Sequence, residues 1–455
     1  MTIEKSAGWS LLGLLSYTAW ARSGIYGPWH FPLWILFALF AVCSGACLVQ
    51  VDRTVRRQFF TDPLLLIGFL FSVLLLIQWL NAGGTPFINI FTGQYNYTAP
   101  PLEGWPFSIE ARLSRQQLAW FVPAALFLPV VRHLFSRPQC KWLLRGMVVN
   151  AAALALFGLI QYSLGWTEMF GFIPVTSNPH LIATFGYPNH GGTFFYLLFA
   201  ASIGLLWDAV EKKKSIPQRI LLGLLVGLFA ITSLCSLSRA AVLAVIVIPL
   251  WALLIWVFQM RANFSISQWV NTALLGGVIL ITLTVGIVRV GEGGLLREFD
   301  GDSSIYSEMN GYSELRGFQI PPAWEMVKAH PWFGVGGWGY RYFVRAYLPK
   351  DQWERVEQTG KANVHCDPIQ FLAEHGWVGF SLLAAGLGFV LAPWRRFTHW
   401  HFKGRAVMIA FGCFLVFLHS LIDLPFRNPT VLWHWLLLLV IVPMLSEVKQ
   451  NLVET

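Results

Sequence analysis

Runs of apolar residues long enough to cross a bilayer recur from one end of this chain to the other, and no other feature limits its fold as strongly. A helix needs about 20 mostly apolar residues to span roughly 30 Å of hydrocarbon, and windows of that kind place about twelve spans here. Their approximate limits are 8–23, 31–50, 63–80, 116–131, 142–163, 190–208, 219–236, 239–258, 268–288, 369–392, 406–423 and 430–446. The first is short and carries Arg22 near its end. Inside lipid every backbone N–H and C=O must be paired within the protein, and runs of this length satisfy that demand as helices. Composition agrees, with 56% hydrophobic and 12% charged residues and a mean hydropathy of +0.57, where a soluble chain of this size would split into amphipathic domains. The expected fold is all-α, a polytopic membrane protein of about twelve transmembrane helices.

Charge sets the expected orientation. The short segments around Arg53/Arg56/Arg57, Arg132/Arg137/Lys141/Arg145, Lys212/Lys213/Lys214/Arg219 and Arg395/Arg396/Lys403/Arg405 are basic and fall on one side with the N-terminus. Basic loops stay cytoplasmic, so both termini are expected there. The net charge of +9 is then a matter of topology, and no nucleic-acid partner is expected. The apolar run from Trp9 to Trp20 lacks a basic leader and a small-residue cleavage site, so the first span is expected to remain. Cys43, Cys47, Cys235 and Cys413 lie in apolar runs and Cys140 in a basic loop, where small buried hydrophobes are the ordinary reading. Cys366 has no second Cys or His at ligand spacing, and no metal or other cofactor is expected.

The long loops belong to the opposite side. Residues 81–115 and 164–189 read as irregular loops, and residues 289–368 as the largest. That last stretch holds a helical candidate from Pro321 to Ala329, a Gly-rich turn from Gly334 to Gly339 and an amphipathic run from Tyr340 to Glu357. So long a loop is improbable without structure, which makes it a helical lid or subdomain.

Five features on this side can carry chemistry. His365 stands just before a span whose start has helix-initiating residues, with Asp367 as candidate N-cap, Pro368 at the first position and Gln370 in a capping-box pattern. An imidazole can exchange a proton near neutral pH, yet it can equally satisfy a buried carbonyl. Ser236-Leu237-Ser238-Arg239 puts an arginine between two apolar runs, which calls for a partner or aqueous pocket unless the side chain snorkels. Arg316 has no local distinction from a solvated charge. Gly186-Tyr187-Pro188-Asn189-His190 is ordinary helix-start chemistry that can also touch a ligand. In the last hairpin, which also holds Arg427, His419 and Asp423 share a helix face at i, i+4 and can orient each other or an arginine, as structure or as substrate contact. The Gly334–Gly339 turn matches no nucleotide-binding loop, and Walker, Rossmann and His-Glu-x-x-His patterns are absent from the sequence.

Taken together, Ser-Leu-Ser-Arg at 236–239, His330-Pro331-Trp332-Phe333-Gly334-Val335-Gly336, and His365 followed after Cys366 and nine further residues by Gly376-x-x-Gly379 resemble the O-antigen ligase and polymerase superfamily of bacterial envelope enzymes. With the Asn189 turn and the His419–Asp423 hairpin, the resemblance covers roughly residues 185–430, and Cys366 departs from the polar residue the family carries there. The resemblance implies three parts: N-terminal helices and outer loops at 1–184, a ligase-like core at 185–430 holding the periplasmic loop of about 289–368, and a last helix with a cytoplasmic tail at 431–455. It implies a metal-independent, inverting glycosyltransferase of the GT-C type in the bacterial inner membrane. The donor would be an undecaprenyl-diphosphate-linked glycan, and the acceptor a glycan or, preferably, lipid A core. Carried over, Arg239 and Arg316 would hold the diphosphate and His365 would take the acceptor proton, with Asn189, His190, Asp367, His419, Asp423 and Arg427 as possible support. A polysaccharide polymerase or protein O-oligosaccharyltransferase would keep the donor and change the acceptor. A lipid-linked sugar flippase would not need His365.

Overall fold

A computed structural model describes residues 3–24, 30–84, 86–173, 182–259, 276–277, 317–353, 362–394 and 404–446. Helices α1 (Ile3–Trp20), α2 (His30–Gln50), α3 (Arg53–Phe60) and α4 (Pro63–Leu80) lead to a two-residue antiparallel ribbon, β1 (Phe87–Ile88) with β2 (Tyr95–Asn96). Then follow α5 (Ala111–Leu134), α6 (Arg137–Ser163), α7 (Pro188–Glu211), α8 (Ile216–Cys235) and α9 (Arg239–Gln259). The described part of the largest loop holds α10 (Ile320–Ala329) and the single turn α11 (Tyr340–Phe343), and the chain closes with α12 (Asp367–Leu391), α13 (Gly404–Ser420) and α14 (Pro429–Ser446).

Eight of these helices are long and apolar enough to cross a membrane, and α13 and α14 are shorter apolar helices. The protein is a polytopic, all-helical membrane protein. Eleven of the expected windows coincide with described helices, although α1 is not among the eight, and the window 268–288 falls outside the described residues apart from 276–277, so twelve spans are not established. Two expectations change. The amphipathic run expected from Tyr340 to Glu357 is, over its described residues 340–353, no continuous helix: α11 passes into 3-10 turns at Val344–Tyr347 and Lys350–Gln352, with Pro349 between them, which lacks the N–H a continuous helix needs. Cys140 lies buried in the first turn of α6, not in a loop.

Helices α5, α7 and α14 form the interior, with Trp120, Phe127, Phe194, Tyr196 and Trp433 almost wholly buried. Their polar ring atoms are paired, as burial in apolar surroundings requires. Trp433 Nε1 donates to Trp120 O at 2.7 Å, Trp120 Nε1 to Gly24 O at 3.2 Å, and Trp435 Nε1 to Cys413 O at 2.8 Å. Small residues permit close helix contact: a Cβ on Gly204 would lie 2.8 Å from Arg405 O, and one on Gly412 2.6 Å from Ala200 Cβ. At the basic end, Arg405 reaches Asp208 Oδ2 at 3.0 Å and Arg137 donates to Leu445 O at 2.9 Å, tying α7, α13, α6 and α14 together.

The other end carries the chemistry-bearing loops. There the segment 330–338 locks into a break in α12. Gly376 has φ +62 inside that helix, and the groups the break frees are taken up by the neighbouring chain. Trp377 N donates to Pro331 O at 2.7 Å and Val378 N to Trp332 O at 3.0 Å. In return Val335 N donates to Ala373 O at 3.2 Å and Gly336 N to Glu374 O at 2.8 Å. A Cβ on Gly334 would come within 2.4 Å of Glu374 C, and one on Gly376 within 2.4 Å of Trp332 C and O. Gly334 and Gly376, one from each motif, are thus explained by two backbones in contact. Gln78 of α4 closes the joint by donating to Phe333 O at 2.9 Å.

Candidate functional site

Asp423 is the hub. It lies beyond the end of α13, 1% exposed, in a turn held by its own N–H on His419 O at 2.9 Å. Its Oδ1 accepts from Leu424 N at 2.9 Å and from Tyr187 Oη at 3.1 Å; its Oδ2 accepts from Tyr187 at 3.0 Å and from Asn189 Nδ2 in a short contact. Pro188 explains why two residues of one turn can both reach it. The residue before a proline is pushed to extended backbone, and Tyr187 has φ −126, ψ 122, while Asn189 already sits in the first turn of α7.

His365 approaches the same carboxylate, its Nδ1 3.1 Å from Asp423 Oδ1. An ionised carboxylate only accepts, so Nδ1 carries the proton and donates, leaving the Nε2 lone pair available. The imidazole is 12% exposed and its backbone has φ +54, the left-handed region that a residue with a Cβ adopts at a cost of about 1–2 kcal/mol. His419 flanks the group, with Nε2 3.9 Å from Asp423 Oδ2 and Nδ1 2.9 Å from Thr193 Oγ1.

A second buried cluster lies beside this one. Arg427, 1% exposed, donates through Nη1 to Glu374 Oε2 at 2.6 Å and has Nε 3.7 Å from Asp367 Oδ1. Its guanidinium lies 4.9 Å from the Trp338 ring centroid and 5.3 Å from that of Phe371. Glu374 also accepts from Trp338 N at 2.9 Å, and Asp367 from Phe426 N at 2.8 Å. Charges this deeply buried require such pairing, because desolvation of each alone costs several kcal/mol.

The expected site residues therefore fall into distinct places. His365, Asn189, Asp423 and His419 come together. His190 turns away, its Nε2 2.9 Å from Leu424 O, where it braces the hairpin. Asp367 is not the N-cap of α12: Cys366 holds that position with extended backbone and no side-chain cap bond, and Asp367 instead pairs with Arg427 because its carboxylate faces the last hairpin. The Cys366 thiol is buried, which raises its pKa, against a smaller opposing effect from the Ile369 N–H. It is a protonated packing group, with Val364 and Leu372 in the same cluster. Arg239 starts α9 and is exposed. Its preceding turn packs on α7 at Gly192, where a Cβ would meet Ser238 Cβ at 2.8 Å and Ser236 Oγ at 2.7 Å, one turn from Asn189. Arg316 lies outside the described residues.

Tyr187, Glu374 and Trp338 are participants that the pattern reading missed. Glu374 did carry a signal, an ionisable residue inside an apolar span. Tyr187 carried none beyond its neighbours in the turn. His330, conspicuous in sequence, packs between the rings of Phe107 and Phe343 at 5.8 and 5.6 Å, and burial lowers its pKa, so it serves as a neutral aromatic.

No curated protein matches the chain in a sequence comparison. The middle of the sequence, residues 224–384, matches a family model described as O-antigen ligase, a stretch that takes in Arg239, His365 and the break in α12 at Gly376. Residues 224–384 thus form an O-antigen ligase family domain within a multi-pass membrane protein.

Proposed function

We propose that the protein transfers a glycan from an undecaprenyl-diphosphate carrier to an acceptor hydroxyl, without a metal and with inversion at the anomeric carbon. The observation that carries this reading is the His365–Asp423 pair, at 3.1 Å with Nδ1 toward the carboxylate. Nε2 takes the proton of the acceptor hydroxyl as it attacks, and Asp423 stabilises the imidazolium that forms. A sugar diphosphate leaves as an anion, so the remaining need is for cations that hold the departing charge. Arg239 and Arg316 fill that role; arginine's planar fork matches phosphate oxygens. Lipid A core is the favoured acceptor. The reaction site faces the periplasm, both termini lie in the cytoplasm, and the architecture is of the GT-C type.

The test is transfer by purified protein in lipid nanodiscs, using an undecaprenyl-diphosphate-linked oligosaccharide and a panel of acceptors: lipid A core, a second carrier-linked repeat, and a peptide. The expected result is product with lipid A core from the wild type and none from His365→Ala. Full transfer by His365→Ala would overturn the mechanism, and product only with another acceptor would reassign the enzyme as a polymerase or protein transferase.

A further inference from the structure

Between the two buried clusters stands one side chain whose hydrogen bonds are fixed in every direction. Gln370, 1% exposed on the first turns of α12, accepts from Val364 N at Oε1 (2.9 Å) and donates from Nε2 to Asn363 Oδ1 (3.1 Å) and Glu374 Oε1 (3.0 Å). The amide has one orientation, since the Val364 N–H needs an acceptor and the Glu374 carboxylate needs a donor.

Val364 immediately precedes His365, whose backbone is held at φ +54. A left-handed residue with a Cβ relaxes unless its surroundings over-determine it. Two restraints act on it here: the Asp423 carboxylate on the imidazole, and the Gln370 amide on the N–H of Val364, in the Asn363–Val364 peptide one residue upstream. They are also joined behind the site. Gln370 binds Glu374, Glu374 binds Arg427, and Arg427 sits four residues after Asp423 on the same hairpin. Four hydrogen bonds (His365 to Asp423, Arg427 to Glu374, Gln370 to Glu374 and Val364 N to Gln370) and the chain segments 423–427 and 364–365 together close a loop around His365.

We propose that Gln370 is a positioning residue for proton transfer: through the Val364 peptide it holds His365 at the distance and angle from Asp423 at which Nε2 meets the acceptor hydroxyl. This rests on His365 being the base. Because Gln370 is 1% exposed and its amide is engaged by Val364 N, Asn363 and Glu374, its removal should slow the chemical step and leave donor binding intact.

The experiment compares Gln370→Met, which keeps the length and loses the hydrogen bonds, with the wild type in nanodiscs, measuring donor affinity, kcat and KM for donor. The expected result is a fall in kcat of about tenfold or more, the size associated with loosening a base from its reacting proton, with donor Kd and KM within about twofold. Gln370→Glu sets a carboxylate against Glu374 and should fall further, and the exchange Gln370→Glu with Glu374→Gln, which restores one donor and one acceptor between the two, should recover part of that loss. Unchanged kcat in Gln370→Met, or donor affinity lost in parallel with kcat, would overturn the positioning role. His365→Ala, run alongside, separates the two ideas: an active His365→Ala defeats the base assignment itself, whereas an inactive His365→Ala with a fully active Gln370→Met defeats only the role of Gln370.

Discussion

His365 Nδ1 stands 3.1 Å from Asp423 Oδ1, across 58 residues of sequence, and that one contact joins the segment before α12 to the hairpin between the last two helices. The carboxylate is 1% exposed and accepts from Tyr187, Asn189 and Leu424 N as well, so it is fixed before any substrate arrives.

Asp423→Asn should keep the shape of this hub and lose its charge. An amide can present its nitrogen to His365 and favour the wrong tautomer, so kcat is expected to fall by on the order of 10²-fold or more, with donor KM little changed. Steady-state transfer kinetics check this; wild-type kcat would remove Asp423 from the mechanism.

Tyr187→Phe removes one hydroxyl from the same carboxylate and leaves the ring edge-on to His190, 4.8 Å between centroids. One hydrogen bond to a charged group is worth about 1.5–3 kcal/mol, but Asn189 and Leu424 N remain, so a loss in kcat of roughly three- to tenfold is expected. The same kinetics measure it, with His190→Phe, outside the hub, as a comparison of lesser effect on kcat.

Arg239→Lys should weaken donor binding and spare folding. The side chain is exposed and its turn is packed through Ser236 and Ser238, while a point charge cannot reproduce the two-pronged grip of guanidinium on a diphosphate. Binding of the carrier-linked glycan, followed by microscale thermophoresis, should show a higher Kd at an unchanged melting temperature; equal affinity would take Arg239 out of the donor site.

Gly376→Ala is expected to be a folding variant. The left-handed φ alone costs about 1–2 kcal/mol with a Cβ present, and that Cβ would sit 2.4 Å from the Trp332 carbonyl. Thermal unfolding in detergent should show a lower midpoint than for Gly386→Ala in the same helix, whose Cβ would meet Ile67 at an ordinary 3.5 Å.

At the basic end Asp62 caps α4 through Leu64 N at 2.8 Å and meets His133 Nε2 at 2.5 Å. Burial works to raise its pKa, but the His133 hydrogen bond, the Leu64 N–H and Arg132 together outweigh it and hold the carboxyl below its ordinary 3.8. A depressed carboxyl pKa stabilises the fold above the unfolded value, and that contribution is lost as pH falls through the folded one. Asp62→Asn should therefore be less stable than wild type at pH 6, and the gap should close as the pH drops below about 4; a gap that persists at low pH would refute the ionic origin.

The sequence by itself determined that this chain is a helical, polytopic membrane protein, because hydrocarbon admits few other ways to pair a backbone and the apolar runs have the required length. It also supplied the residues of interest, since a histidine before a span or an arginine between two spans stands out against an apolar background. Packing decided their relationships. That His365 meets Asp423 and not its nearer neighbour Asp367, that Asp367 and Glu374 turn to Arg427, and that Gly334 and Gly376 of two motifs serve one backbone joint all depend on which helix ends lie together. Local pattern reports the neighbours of a residue along the chain, and a hub carboxylate is made by residues 187, 189, 365 and 423 arriving from three separate segments.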